Sequence, residues 1–172
     1  MPKELTHWWL ADQARLRLPP DSPLRELLDQ HLHCYLLGAV LPDTLLHPLP
    51  PPHRARAIQL ANNFHNPRTH SYLPLIRLFD HTPEPDAATL ACLLGIASHI
   101  EADAGLHPFV YSQCGEDLGM HYRLETDLDL WLLHNGAHLP AVRVAELLTP
   151  QATTVAAQVL ATVFDASPCA VV

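Results

Sequence analysis

Residues 90–132 read LACLLGIASHIEADAGLHPFVYSQCGEDLGMHYRLETDLDLWL. Within them His99, Asp103 and His107 follow one another at four-residue steps, and His121 and Glu125 repeat that step. Four residues is just over one helical turn, so each set projects from one face of a helix. The run before His99 is almost wholly apolar, and a helix that is apolar all round belongs at the centre of a bundle. A lone histidine on such a face is as often a hydrogen-bonded core residue as a ligand. Five imidazoles and carboxylates in register are harder to account for in that way, because burying Asp103 and Glu125 without a cation is costly. Imidazole nitrogen with carboxylate oxygen is a ligand set that suits zinc, and sites with room for water beside such ligands are the catalytic kind.

Outward from this stretch the chain reads as an all-α, multi-helix bundle. Leu, Ala, Glu and Arg dominate, apolar positions recur at three- and four-residue intervals, and β-branched residues are sparse before the C-terminal part. Thr6 or a neighbour opens a first helix that stops at Pro19-Pro20. Asp21-Ser22-Pro23 starts a second, with Leu24, Leu27, Leu28, His31, Tyr35 and Leu36 as its buried stripe and an exit from Gly38 toward Pro42-Asp43. After the stiff connector PLPPP at 48–52, helices are expected from His53 to Asn63 and through Tyr72 to Phe79, with Pro74 in the first turn of the latter. The longest helix should run from Ala87 to about Tyr111, kinked or ended by Pro108, followed by one from Met120 to His134 and two weaker segments, Val142–Leu148 and Gln151–Asp165.

At 172 residues the chain is expected to form one domain, 1–172, large enough to bury a real core. Cys34, Cys92, Cys114 and Cys169 are far apart and form no CxxC pair, which points to buried, reduced thiols rather than a disulfide framework. The opening MPKELTHWWLADQ lacks an apolar run with a small-residue cleavage site, and no stretch reaches the roughly 18 consecutive apolar residues of a membrane span, so the cytoplasm is the expected compartment. The net charge of −8 disfavours a broad grip on a phosphate backbone, and no stable nucleic-acid complex is expected. Zinc ions in the site would offset much of that charge, so an anionic substrate is not excluded.

The motif H-x3-D-x3-H followed by H-x3-E resembles the bacterial zinc-dependent phospholipase C family, which shares an all-helical fold and a three-zinc site with single-strand-specific nucleases. The resemblance runs from His7 to about Leu132. It implies that His99, Asp103, His107, His121 and Glu125 are zinc ligands, that Asp43 in GAVLPD is the early-loop aspartate, and that His65 in NNFHNPRTHSYLP is the second-loop histidine, with His70 as the alternative. The alternative role for Asp43 is a cap on the turn after Pro42. His7 matches the histidine near the N-terminus, beside the Pro2 amine that removal of Met1 would expose; alternatively it faces water while Trp8 and Trp9 pack the first helix. Two or three zinc ions are implied. One would lie at Asp43, His65, His99 and Asp103, another at His107, His121 and Glu125, and a third at His7 and Asp103. Asp43 is also the candidate catalytic residue, orienting the water that attacks phosphorus.

The implied activity is hydrolysis of a phosphate ester, a phospholipid or another phosphodiester, with peripheral membrane contact in the lipid case. The alternative is a non-catalytic metal-binding or interaction module on the same scaffold. A third helical class, the HD phosphohydrolases, needs a histidine followed directly by aspartate, whereas this chain has Asp80-His81 in the reverse order. Glu101 and Asp129 are expected to act behind the ligands or in solvent. His31, His33, His47, His53, His81, His134 and His138 are expected to be surface or core residues.

Overall fold

The computed structural model describes residues 4–47, 53–65 and 71–166, and among these every regular element is helical. The expected connector at 48–52, His70, the Pro2 amine and Cys169 lie outside the described residues. The order is α1 (Glu4–Arg17), α2 (Pro23–Gln30), α3 (Leu32–Gly38), α4 (Leu41–Thr44), α5 (His53–His65), α6 (Leu73–His81), α7 (Ala87–Cys114), α8 (Leu118–His134), a 3₁₀ turn (Val144–Glu146) and α9 (Pro150–Ala166).

Local chemistry sets most of these boundaries. Ser22 caps α2 by accepting from the Arg25 amide, Asp86 caps α7 by accepting from Thr89, and Asp117 caps α8 by accepting from Met120. Pro23 and Pro74 occupy first turns, where a missing N–H breaks no bond. Gly115 ends α7 at φ 55°, a left-handed conformation open to glycine at little strain, and so reverses the chain into α8.

Several expected boundaries move. The single helix expected over 24–36 breaks at His31, whose backbone leaves the helical region and ends α2 before α3 begins. His65, expected in a loop, is the last residue of α5. Pro108 does not end α7, which continues to Cys114; the carbonyl that a proline leaves without its donor is that of Ala104, an exposed residue, so water can replace the bond. The segment expected to be helical over Val142–Leu148 is only a 3₁₀ turn of three residues.

α7 is the axis of the bundle, roughly 42 Å long at 1.5 Å per residue. By length and mean hydropathy it is the one described helix that could cross a membrane, but 56% of that apolar stretch is buried by its neighbours. Its main partner is α3, and α1, α8 and α9 pack around it. The α3–α7 contact is backbone to backbone. A Cβ on Gly38 would lie 2.1 Å from the Cys92 carbonyl oxygen, and one on Gly95 would lie 2.0 Å from that of Tyr35. Trp8, Leu36, Leu60, Leu78, Leu93 and Ile96 fill the core around this crossing, and Trp8 Nε1 donates to the Leu36 carbonyl at 3.0 Å. Cys34 and Cys92 are free thiols buried in this core, as expected, whereas Cys114 is only half-buried.

Gly95→Ala should therefore destabilise the protein by about 3 kcal/mol, because the carbonyl it would strike belongs to a helix that cannot move aside. Gly105→Ala, at a position on α7 where a Cβ meets nothing within 4 Å, should stabilise it by about 0.5–1 kcal/mol. Urea midpoints of the two variants should move in opposite directions; similar midpoints would show that the α3–α7 approach is not a steric constraint.

Candidate metal centre

Five helices converge on one buried region. α7 presents His99, Asp103 and His107 along one face, and α8 presents His121 and Glu125 opposite them. α1 brings His7, the short α4 brings Asp43, and α5 ends on His65. His99 and Glu125 are 0% exposed and His7 is 1% exposed; Asp43, Asp103 and His121 are also buried, while His65 and His107 are half-buried. His7 therefore does not face water.

The eight side chains form two joined groups. In the first, His65 Nε2 lies 2.9 Å from Asp43 Oδ1, 3.0 Å from His99 Nε2 and 3.6 Å from Asp103 Oδ2. His99 Nε2 is 3.6 Å from Asp43 and 3.5 Å from Asp103. His7 joins this group, 3.8 Å from Asp43 Oδ2 and 3.6 Å from Asp103 Oδ1, with its ring stacked on His99 at 4.1 Å. In the second group Glu125 Oε1 lies 2.7 Å from His121 Nε2 and 3.6 Å from His107 Nε2. Asp103 joins the two: Oδ2 faces His65 and His99, while Oδ1 faces His7 and, at 3.6 Å, His107.

Two of the rings are aimed by the main chain. His99 Nδ1 donates to the Ala39 carbonyl at 2.9 Å and His65 Nδ1 to the Ala61 carbonyl at 2.7 Å, so in each neutral ring Nε2 carries the lone pair. Those two lone pairs face one another across 3.0 Å, which is repulsive unless a proton or a cation stands between them. Both ring nitrogens of His7, both oxygens of Asp103 and Nε2 of His107 are buried with no hydrogen-bond partner among the described residues. Buried groups of this kind require a partner. Ligand atoms around tetrahedral zinc stand about 3.3 Å apart, given zinc–nitrogen distances of about 2.0–2.1 Å. The set of nitrogen and oxygen atoms here converges at comparable spacings, and the triplets His7/Asp43/His99, His65/His99/Asp103 and His107/His121/Glu125 each bring three such atoms within 4.8 Å of one another. The residues present fit zinc.

Electrostatics favours the same partner. Burial pushes the Asp43 carboxyl up, but the surrounding imidazoles of His99, His65 and His7 outweigh it and hold the group at about 2. Burial pushes Asp103 above the usual carboxylate range despite His99 and His65. Burial lowers His7, His107 and His121, with His107 at about 4, so these rings are neutral at neutral pH, the form in which imidazole binds a metal. His65 moves the other way: burial lowers it, but the hydrogen bond and the charge of Asp43 outweigh burial and raise it. A cation held there would compete with a proton for the same nitrogen.

A cavity of about 420 Å³ opens onto the joined groups, with His65, Asp103 and His107 in its wall beside Phe64, Tyr72 and Tyr111. Asp43 does not line it. The Tyr111 ring lies 5.5 Å from that of His107 and 5.3 Å from that of His121. Nothing in the sequence reading singled out Tyr111, although it stands four residues beyond His107 and so on the same helical face. Cys114 Sγ, also unforeseen, lies 3.9 Å from His121 Nδ1. Glu101 is exposed and accepts a hydrogen bond from the Tyr72 hydroxyl. Asp129 is buried and accepts hydrogen bonds from Leu5 and Thr6 at the start of α1. Among the histidines expected to lie elsewhere, His31 sits at the α2–α3 break, and His33, His47, His53, His81, His134 and His138 are exposed.

A family model described as zinc-dependent phospholipase C matches residues 6–165 of the chain. Comparison with curated proteins and with solved structures finds no match.

Asp103→Asn separates ligation from folding. The amide keeps the volume but removes the charge shared by both groups, so zinc stoichiometry should fall. Because burial raises the Asp103 carboxyl, its ionised form weighs against the metal-free fold above its ordinary pKa. The metal-free variant should accordingly melt no lower than metal-free wild type at pH 7. His134→Ala, whose exposed ring only donates from Nδ1 to the Leu130 carbonyl, should leave zinc binding intact. Equal zinc loss in both variants, by plasma mass spectrometry, would mean that the histidines act through folding alone.

Proposed function

The chain belongs to the zinc-dependent phospholipase C family, and from that premise we propose that it is a phosphoric ester hydrolase acting on a phospholipid or another phosphodiester. The observation that carries the reading is the cavity whose wall includes residues of both groups, His65 and Asp103 from one and His107 from the other. A substrate phosphate in that space would touch the metal centre while the rest of the molecule lies against Phe64, Tyr72 and Tyr111. The proposed ligands are Asp43, His65, His99 and Asp103 for one zinc and His107, His121 and Glu125 for a second, with His7 holding a third through Asp43 and Asp103.

Zinc, when bound, acidifies water and offsets negative charge on a phosphoryl oxygen. The chain's own residues do the rest. Asp43 stays ionised at neutral pH and, with Oδ1 2.9 Å from His65 Nε2, acts from behind the cavity wall by steadying the ring that lines it. The main-chain bonds of His65 and His99 keep their Nε2 atoms turned inward through the reaction. Asp103 fixes the distance between the two groups and hence the reach of the site across a phosphodiester.

A lipid substrate would be met at a surface, and the approaches to the cavity suit one. Leu73 and Ile76 on α6 and Phe109 on α7, which follow or neighbour the wall residues Tyr72 and Pro108 in sequence, are 45%, 53% and 53% exposed. Exposed apolar and aromatic side chains of this kind insert into the headgroup region. The charge of −8 argues against a nucleic-acid polymer as the substrate.

Protein purified without chelator should carry at least two zinc equivalents and turn over a chromogenic phosphodiester and phosphatidylcholine vesicles. Chelation should abolish both activities and added zinc should restore them. Bound zinc with no turnover of either substrate would replace the hydrolase by a non-catalytic metal-binding module, and metal-free protein of unchanged thermal stability would count against the metal centre itself.

A further inference from the structure

α8 carries a third acidic or imidazole group in step with its two candidate ligands: His121, Glu125 and Asp129 stand at four-residue intervals on one face. Among the described residues Asp129 makes no hydrogen bond or ion pair with the metal centre. Its carboxylate instead meets the first turn of α1, where Oδ1 accepts from the Thr6 amide at 2.9 Å and the Thr6 hydroxyl at 2.6 Å, and Oδ2 accepts from the Leu5 amide at 3.2 Å. The first amides of a helix have no partner within it, and a local side chain usually caps them. Here the cap is supplied 123 residues away in the chain, by a residue 6% exposed, and its charge suits the positive end of the helix.

The residue next to Thr6 is His7. Unlike His65 and His99, whose rings are aimed by main-chain carbonyls, His7 has no hydrogen bond to either ring nitrogen among the described residues. Apart from its stack on His99 and its approaches to Asp43 and Asp103, the placement of α1 decides where its Nε2 lies. We propose that Asp129 is the positioning residue for His7: by clamping the first turn of α1 to the helix that bears His121 and Glu125, it sets His7 against Asp43 and Asp103 and so governs occupancy of the zinc held on that side. The inference rests on the reading of His7 as a ligand.

The test titrates zinc into the chelator-stripped, C-terminally tagged full chain against a competing chromophoric chelator. The variants are His7→Ala, Asp129→Ala and their combination, with Thr6→Val and Thr6→Ser beside them. His7→Ala should lose one zinc. Asp129→Ala should weaken that same zinc by about 10–100-fold, the usual effect of removing a group that orients a ligand, and leave the tighter sites unchanged. The double variant should bind no worse than His7→Ala alone. Thr6→Val, which deletes one of the three hydrogen bonds at nearly constant volume, should weaken the zinc a few-fold, and Thr6→Ser should restore it. Hydrogen exchange over residues 5–9 should quicken in Asp129→Ala and Thr6→Val alone among these single variants.

Uniform weakening of every zinc in Asp129→Ala, or further loss in the double variant, would make Asp129 a general structural residue and overturn the proposal. If His7→Ala loses a zinc while Asp129→Ala and Thr6→Val bind normally, the proposal fails and His7 stands as a ligand. Unchanged stoichiometry in His7→Ala would remove both. Should Asp129→Ala not fold, the comparison of Thr6→Val with Thr6→Ser decides alone.

Discussion

Two carboxylates, Asp43 and Asp103, lie in the interior of an apolar bundle with no lysine or arginine against them among the described residues, and the remainder of the architecture is arranged around that charge. Imidazoles balance Asp43 well enough to hold it ionised, yet they leave Asp103 raised and His65 drawn toward its protonated form. Among the described residues the metal-free site is thus electrostatically incomplete: its buried acceptors and facing lone pairs have more demand for positive charge than the imidazoles supply. A divalent cation resolves this where a proton cannot, because it accepts lone pairs from several directions at once.

Placing eight such side chains together requires backbone precision that side-chain packing alone does not give. The approach of α3 to α7 at Gly38 and Gly95 brings main chain against main chain, and the carbonyl of Ala39, next to Gly38, is the one that receives His99 Nδ1. Two residues further on, α4 begins and presents Asp43 to the same histidine. The glycine contact in the core and the geometry of the site are therefore parts of one arrangement. On the other side, Gly115 turns α7 into α8 tightly enough for His121 to lie 5.5 Å, ring to ring, from His107.

The helical fold and the face shared by His99, Asp103 and His107 were legible in the sequence because a four-residue step is a local property of the chain. Legibility stopped where tertiary contacts decide. The break at His31 lies within a run of residues that suit one continuous helix, and no breaker marks it. Pro108 reads as a stop, yet the carbonyl it strands lies where water reaches it, and that depends on which face of α7 is exposed. His65 reads as a loop residue because Asn62, Asn63 and Pro67 flank it, although the helix persists until it has placed the ring. Asp129 was the least accessible: its spacing from Glu125 was visible, but the amides it caps belong to a helix at the other end of the chain.

The two anchored rings carry a consequence for how such a site tolerates change. Their orienting partners are carbonyls of Ala39 and Ala61, both 0% exposed, and a carbonyl is common to every amino acid. Sequence drift at those positions is limited by volume alone, since no substitution deletes the acceptor. Ligand orientation is thereby inherited with the helical path itself, so the neighbourhood of the centre can diversify without first re-learning how to aim its histidines.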